Sequence, residues 1–135
     1  MIRSETKIRV RYGETDQMGY VYYGVYAQYY EVGRVDAMRS LGFSYKQIEE
    51  KGLLMPVIDF SISYKKPAFY DDEITVVTYV RDKPLGVRII FEYECFNQAG
   101  ELLNTGKVTL VMVEKITNKM CKIPDWFQNA FNAFF

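Results

Sequence analysis

A helical rhythm near the start of this chain gives way to a long series of alternating apolar and polar positions. Residues 6–12 (TKIRVRY) alternate with period two and predict a first strand. Residues 13–19 (GETDQMG) break the alternation with a glycine at each end and polar residues between. From 22 to 41 the period lengthens to three and four. Tyr26, Tyr30, Gly33 and Ala37 then lie along one side of a predicted helix, with Glu31, Arg34 and Arg39 left to meet water. Gly42 supplies the stop, and Gly24 and Gly33 would let a neighbouring backbone approach closely. Tyr and Val are mediocre helix formers, so tertiary burial must hold this helix. Burying five large side chains at about 1.5–3 kcal/mol each gives roughly 10 kcal/mol, more than the propensity deficits remove.

A short amphipathic piece follows over 44–51, with Ser44 as N-cap and Gly52 as terminator. Four strands are predicted after it. Residues 57–65 place Ile58, Phe60, Ile62 and Tyr64 on one face, and Pro67 ends the run. Residues 73–81 are rich in β-branched side chains. Residues 87–96 set Val87, Ile89, Phe91, Tyr93 and Cys95 on one face, and 102–114 form the last long strand. Short connections at 82–86 and 97–100 make the last three strands consecutive antiparallel neighbours. The tail, 118–135, carries Pro124 and an apolar stripe of Trp126, Phe127, Phe131, Phe134 and Phe135, read as a terminal helix that packs on its own domain or on a partner, with membrane contact as the alternative. The chain reads as a single α+β domain over 1–135, one helix against an antiparallel sheet.

Composition narrows the chemistry. Lys+Arg and Asp+Glu both count 17, for a formal net charge of zero, which argues against a general nucleic-acid partner. No apolar run approaches a membrane span, and the first twelve residues lack a signal-peptide core. Cys95 and Cys121 show neither CxxC spacing nor a disulfide framework, which points to a reduced, cytoplasmic setting. The chain has no His, so His-based metal sites and Ser-His-Asp or Cys-His machinery are excluded within one chain. Acid–base work would fall to carboxylates, Tyr, Lys or backbone groups.

The loop Glu14-Thr15-Asp16-Gln17-Met18-Gly19 leads into the long helix. The first turn of a helix leaves backbone N–H donors unpaired, and its dipole favours negative charge. Asp16 beside such donors can deprotonate water or attack a thioester carbonyl itself, while the N–H of Tyr23 or Gly24 polarises the carbonyl oxygen. Spacing alone answers as well to an aspartate that merely caps a turn or helix.

The run Tyr12-Gly-Glu-Thr-Asp16-Gln-Met-Gly19-Tyr-Val-Tyr-Tyr23-Gly-Val-Tyr26, continued by Glu31-Val-Gly-Arg34, resembles the signature of the 4-hydroxybenzoyl-CoA thioesterase family, in particular its bacterial Tol–Pal-associated branch. The segment Tyr64-Lys-Lys-Pro67-Ala-Phe-Tyr70-Asp71-Asp72 resembles the family's strand-turn segment, and the likeness runs from about Lys7 to Pro124. It implies a hotdog fold, a five-stranded antiparallel sheet wrapped around one long helix, assembling as a homodimer or homotetramer with the site at the dimer interface. It further implies hydrolysis of an acyl-CoA substrate by Asp16, polarisation of the carbonyl near Tyr23 or Gly24, and no metal or organic cofactor.

Tyr22, Tyr26, Tyr64, Lys65, Lys66 and Pro67 are the expected substrate-binding residues, and Arg81, Lys83 and Arg88 are further candidates for the CoA phosphates. Two positions depart from the pattern: Tyr23 stands where many relatives carry His, and Val25 where a polar residue, commonly Asn, is usual. Tyr23 is either a hydroxyl donor or an apolar wall. Glu31 and Arg34 are expected to form a surface pair, with Glu31 a further candidate polar group near the site. A hotdog hydratase would want a His–Asp or His–Glu pair that this chain lacks. A non-catalytic acyl-CoA or acyl-carrier-protein binding module of the same fold is the remaining rival, and an aromatic-tail scaffold role is compatible with either.

Overall fold

The computed structural model describes all residues, Met1–Phe135. Strand β1 spans Ile2–Arg9, helix α1 Val25–Ser40 and helix α2 Tyr45–Glu50. The strands β2 Leu53–Leu54, β3 Val57–Tyr64, β4 Glu73–Val80, β5 Arg88–Phe96, β6 Leu102–Val111, β7 Val113–Glu114 and β8 Lys119–Met120 follow, and helix α3 spans Asp125–Phe131. Five strands form one antiparallel sheet in the order β1-β4-β5-β6-β3, and β2-β7-β8 make a second small one. Helix α1 packs on the inner face of the large sheet, mainly against β1 and β4. This is the hotdog arrangement that the motif implies.

Alternation explains the layering. Ile74, Val76, Thr78 and Val80 of β4 and Ile89, Phe91, Tyr93 and Cys95 of β5 are buried, and they face Tyr26, Tyr30, Ala37 and Met38 of the helix. Two glycines permit the close fit. A Cβ at Gly33 would lie 2.5 Å from Thr78 Oγ1, and one at Gly106 would run into the Tyr30 ring, so neither position tolerates a side chain without displacement. Tyr30 stacks on Tyr93 with ring centres 4.2 Å apart and planes 4° from parallel.

Several boundaries differ from the sequence reading. The first strand lies at Ile2–Arg9 rather than 6–12, because Tyr12–Glu14 tightens into a 3-10 turn and the strand follows β4 from Ile2↔Val80 to Arg9↔Glu73. The helix begins at Val25 rather than 22, since Tyr22 is held outside it by its N–H bond to the Glu14 carbonyl. The last strand is divided at Met112, which joins the Val87 carbonyl and the Cys121 amide. Arg34 is buried rather than solvated and forms no pair with Glu31: its Nε donates to Tyr45 Oη at 2.7 Å, and a second nitrogen lies 3.4 Å from Tyr93 Oη. The tail packs on its own domain, with Phe127 and Phe131 fully buried.

The two sheet edges are unlike. The outer face of β1 presents Arg3, Glu5, Lys7 and Arg9, whereas β3 leaves Val57, Ile58, Phe60 and Tyr64 exposed along a rim with no strand on its far side.

Candidate active site

Glu14 anchors the loop that carries Asp16. Its side chain accepts from the Arg11 amide at 2.8 Å, from the Arg11 guanidinium at 3.1 and 3.2 Å, and from Tyr29 Oη at 2.9 Å. Burial works to push the Glu14 carboxyl up, but these donors hold it below the ordinary carboxylate value. Its backbone carbonyl takes the Tyr22 N–H at 2.9 Å. One residue therefore ties the loop to both the first turn and the entry to α1. The sequence reading passed over Glu14; the signal was its position three residues after Arg11, the spacing of a reciprocal cap.

Asp16 closes its own turn. Its Oδ1 accepts the N–H groups of Met18 at 2.9 Å and Tyr20 at 3.2 Å, and its amide donates to the Tyr20 carbonyl at 2.8 Å. Oδ2 takes no hydrogen bond within the chain, so one carboxylate oxygen fixes the loop and the other is free. At the helix entry the Val25 and Tyr26 amides turn back onto the carbonyls of Tyr22 and Tyr23, while those of Tyr23 and Gly24 donate to nothing in the chain.

Asp16, Tyr23, Tyr26, Tyr64, Lys65, Lys66 and Pro67 converge on one cleft of about 300 Å³, completed by Met18, Tyr20 and Val21. Tyr64 bridges its walls: its hydroxyl donates to the Tyr23 carbonyl at 3.0 Å, and its ring meets that of Tyr26 edge-on at 5.8 Å. Gly24 stands just outside, immediately before the first residue of α1. Tyr22 also lies outside, its ring tilted against that of Tyr23 with centres 4.6 Å apart. Lys66 pairs with Glu101, while Lys65 makes no ion pair. Arg81, Lys83 and Arg88 gather with Lys107 around a separate hollow at the opposite end of the sheet, where β5 starts, and do not reach this cleft within one chain. Glu31 is exposed on α1 and does not line the cleft either.

The arrangement supplies a free carboxylate oxygen in a largely apolar, aromatic cleft, with unpartnered amides at the adjoining start of α1. That set can hold a thioester and activate attack on its carbonyl carbon.

Comparison with known proteins identifies the family. The sequence profile of the thioesterase-like superfamily matches residues 10–131. The crystal structure of the DHNA-CoA thioesterase from Staphylococcus aureus superposes with a TM-score of 0.91 at 40% identity, over 98% of this chain and 91% of that one. YneP of Bacillus subtilis, whose own acyl-CoA thioesterase assignment is provisional, is 41% identical over 91% of each chain. The acyl-CoA thioester hydrolase YbgC of Escherichia coli is 28% identical over 87% of each. The chain thus belongs to the thioesterase-like superfamily, as a thioester hydrolase of the hotdog fold.

Proposed function

We propose that the protein hydrolyses an acyl-CoA to the free acid and CoA with Asp16 as its catalytic carboxylate. The observation that carries this reading is the division of labour within Asp16, whose Oδ1 is committed to the loop while Oδ2 is free beside the cleft. Oδ2 takes a proton from water as it adds to the thioester carbon, or attacks that carbon itself and is released by water afterwards. Developing charge on the carbonyl oxygen is met by the Tyr23 and Gly24 N–H groups and the positive end of α1. Collapse breaks the C–S bond: in the first route Asp16 passes the water's proton to the departing CoA sulfur, and in the second the thiolate leaves, is protonated by solvent, and water cleaves the Asp16 anhydride.

Tyr26, Tyr64 and Pro67 form the apolar surround of the acyl group. Lys65, and Lys66 when released from Glu101, meet the anionic CoA, with Tyr22 at the rim. The exposed edge β3 supports pairing with a second copy into a continuous sheet, as a homodimer or a larger homo-oligomer. The free thiols of Cys95 and Cys121 support a reducing, cytoplasmic setting.

The loop-closing bonds of Asp16 Oδ1 would serve equally in a non-catalytic acyl-CoA or acyl-carrier-protein binding module, and one experiment separates the two. Release of CoA is followed from short, medium, long and aromatic acyl-CoAs for wild type and Asp16→Asn. The Asn variant keeps Oδ1 and so keeps the loop. Turnover lower by about 10²–10⁴-fold is expected, the scale of a positioned acid–base group. Equal turnover removes Asp16 from the chemistry, and binding without turnover in wild type favours the binding module.

A further inference from the structure

Two hairpin turns at the end of the molecule opposite the cleft carry apolar side chains that the fold does not use. The turn between β4 and β5 exposes Leu85 to 71%, and the turn between β7 and β8 exposes Ile116 to 96%. The two hairpins are neighbours. The Met112 amide donates to the Val87 carbonyl and the Ile123 amide to that of Gly86, so β7 and β8 leave from beside the base of the first turn. Other residues close the second turn. The Asn118 amide donates to the Glu114 carbonyl at 2.8 Å, Asn118 itself takes the left-handed conformation at φ 55°, and Thr117 Oγ1 donates to the Glu114 carboxylate at 3.3 Å. Such turns favour Asn, Asp, Gly and Ser, and a β-branched apolar residue at the tip gains nothing from folding. Met120 on β8 is likewise 64% exposed.

The charge around these tips is one-sided. Lys83, Arg88, Lys107, Lys115, Lys119 and Lys122 form no ion pair. Of the carboxylates among them, Glu92 is taken by Arg81 and Glu114 by Thr117, which leaves Asp82. At the cleft end Lys7, Arg9, Arg11 and Lys66 each meet a carboxylate, and Lys65 alone does not. A chain of zero net charge thus gathers unmatched cations at one end, around its most exposed apolar side chains.

We propose that this end of the protein docks on an anionic lipid surface, with Ile116 and Leu85 entering the headgroup boundary and the surrounding lysines meeting lipid phosphates. A bilayer interface offers apolar depth and negative charge in one plane, which is what an apolar tip ringed by flexible cations can use. Duplex nucleic acid would engage the cations and give Ile116 nothing. Protein interfaces are depleted of Lys, and isolated tips make no continuous apolar contact for a folded partner. No helix is long and apolar enough to cross a membrane, so the attachment is peripheral. The eight residues of β3 separate this end from the cleft by about 25 Å. Docking therefore leaves the Asp16 cleft uncovered, and the inference stands apart from the hydrolase reading.

Sedimentation of the full chain with vesicles tests it, using phosphatidylcholine alone and phosphatidylcholine mixed equally with phosphatidylglycerol. Wild type is expected to bind the mixed vesicles at least about tenfold better, and less tightly as salt is raised. The combined variant Lys115→Gln, Lys119→Gln and Lys122→Gln should lose about 100-fold in affinity, from about fivefold per lysine. Ile116→Ser should lose about tenfold or more. All three side chains of the first variant and Ile116 are exposed, and far-UV circular dichroism should match wild type for both proteins. Equal binding of wild type to both kinds of vesicle, or binding to neither, overturns the inference without recourse to a variant. So does either variant bound as tightly as wild type. Duplex DNA supplies the remaining comparison: if it is held as tightly as the mixed vesicles, and Ile116→Ser binds both like wild type, the face serves polyanions at large and the lipid reading falls. Release of CoA by the same samples without vesicles reports on the cleft alone, so failure of one reading is visible apart from failure of the other.

Discussion

Replacing Glu14 with Ala tests whether one buried carboxylate holds the Asp16 loop in place. The change removes the acceptor for three Arg11 donors and for Tyr29 Oη. The Arg11 side chain is 78% exposed, so water replaces that pairing at a cost of about 0.5 kcal/mol. Tyr29 is 2% exposed, and stranding its hydroxyl costs about 1–3 kcal/mol. The sum is about 2.5 kcal/mol. With an unfolding entropy of about 2.1 cal/mol/K per residue over 135 residues, the expected fall in Tm is about 9 °C. Glu14→Gln retains an oxygen for Tyr29 and should lose less than about 1 kcal/mol. Urea titration of wild type and both variants, monitored by far-UV circular dichroism, gives these differences directly. If Ala and Gln are equally stable, or Ala costs under about 0.5 kcal/mol, the Tyr29 bond does not support the loop and the reasoning fails.

Other outcomes follow from the same geometry. The native carboxyl of Glu14 titrates below its ordinary value of 4.5, so its contribution to stability is full above that pH and fades as pH falls through the lower native value. The stability gap between wild type and Glu14→Gln should therefore narrow in acid, as urea midpoints measured from pH 7 to pH 3 would show. Gly106→Ala drives a methyl group into Tyr30, which its stack on Tyr93 prevents from retreating. Destabilisation of about 1–3 kcal/mol is expected in thermal melts. Ile58→Lys places a charge on the exposed edge of β3 and should convert a dimer to monomer in light scattering at micromolar concentration. A wild-type protein that is already monomeric there removes the edge-pairing proposal.

The fold was legible where the signal was periodic or local. Alternation fixed the inner face of β5, and Ser44 marked the start of α2, where it and Gln47 cap the helix reciprocally. The motif named Asp16, Tyr23, Tyr26 and the Tyr64–Pro67 segment, which meet in one cleft although Tyr26 and Tyr64 are 38 positions apart. Arg34 was misread because its partners are Tyr45 and Tyr93, and nothing within a turn of helix announces a hydroxyl 59 positions away. The helix start was placed too early because the periodicity of tyrosines continues through Tyr22, while the Glu14 carbonyl that draws its amide aside leaves no trace in apolar spacing. The Tyr30–Asn104 bond spans 74 positions and was equally invisible.

The contrast between the two sheet rims bears on how the chain is made. Along β1 the alternating charges of Arg3, Glu5, Lys7 and Arg9 discourage stray strands from docking. Along β3 Asp59 is the only charged residue on a rim that is open for eight residues and exposes Val57, Ile58, Phe60 and Tyr64. A newly synthesised chain thus presents a template on which any extended segment can crystallise, and mass action decides whether a correct twin or a misfolded neighbour arrives first. Recovery of soluble protein after dilution from denaturant should pass through a maximum with concentration, since crowding favours aggregates and extreme dilution leaves the rim bare.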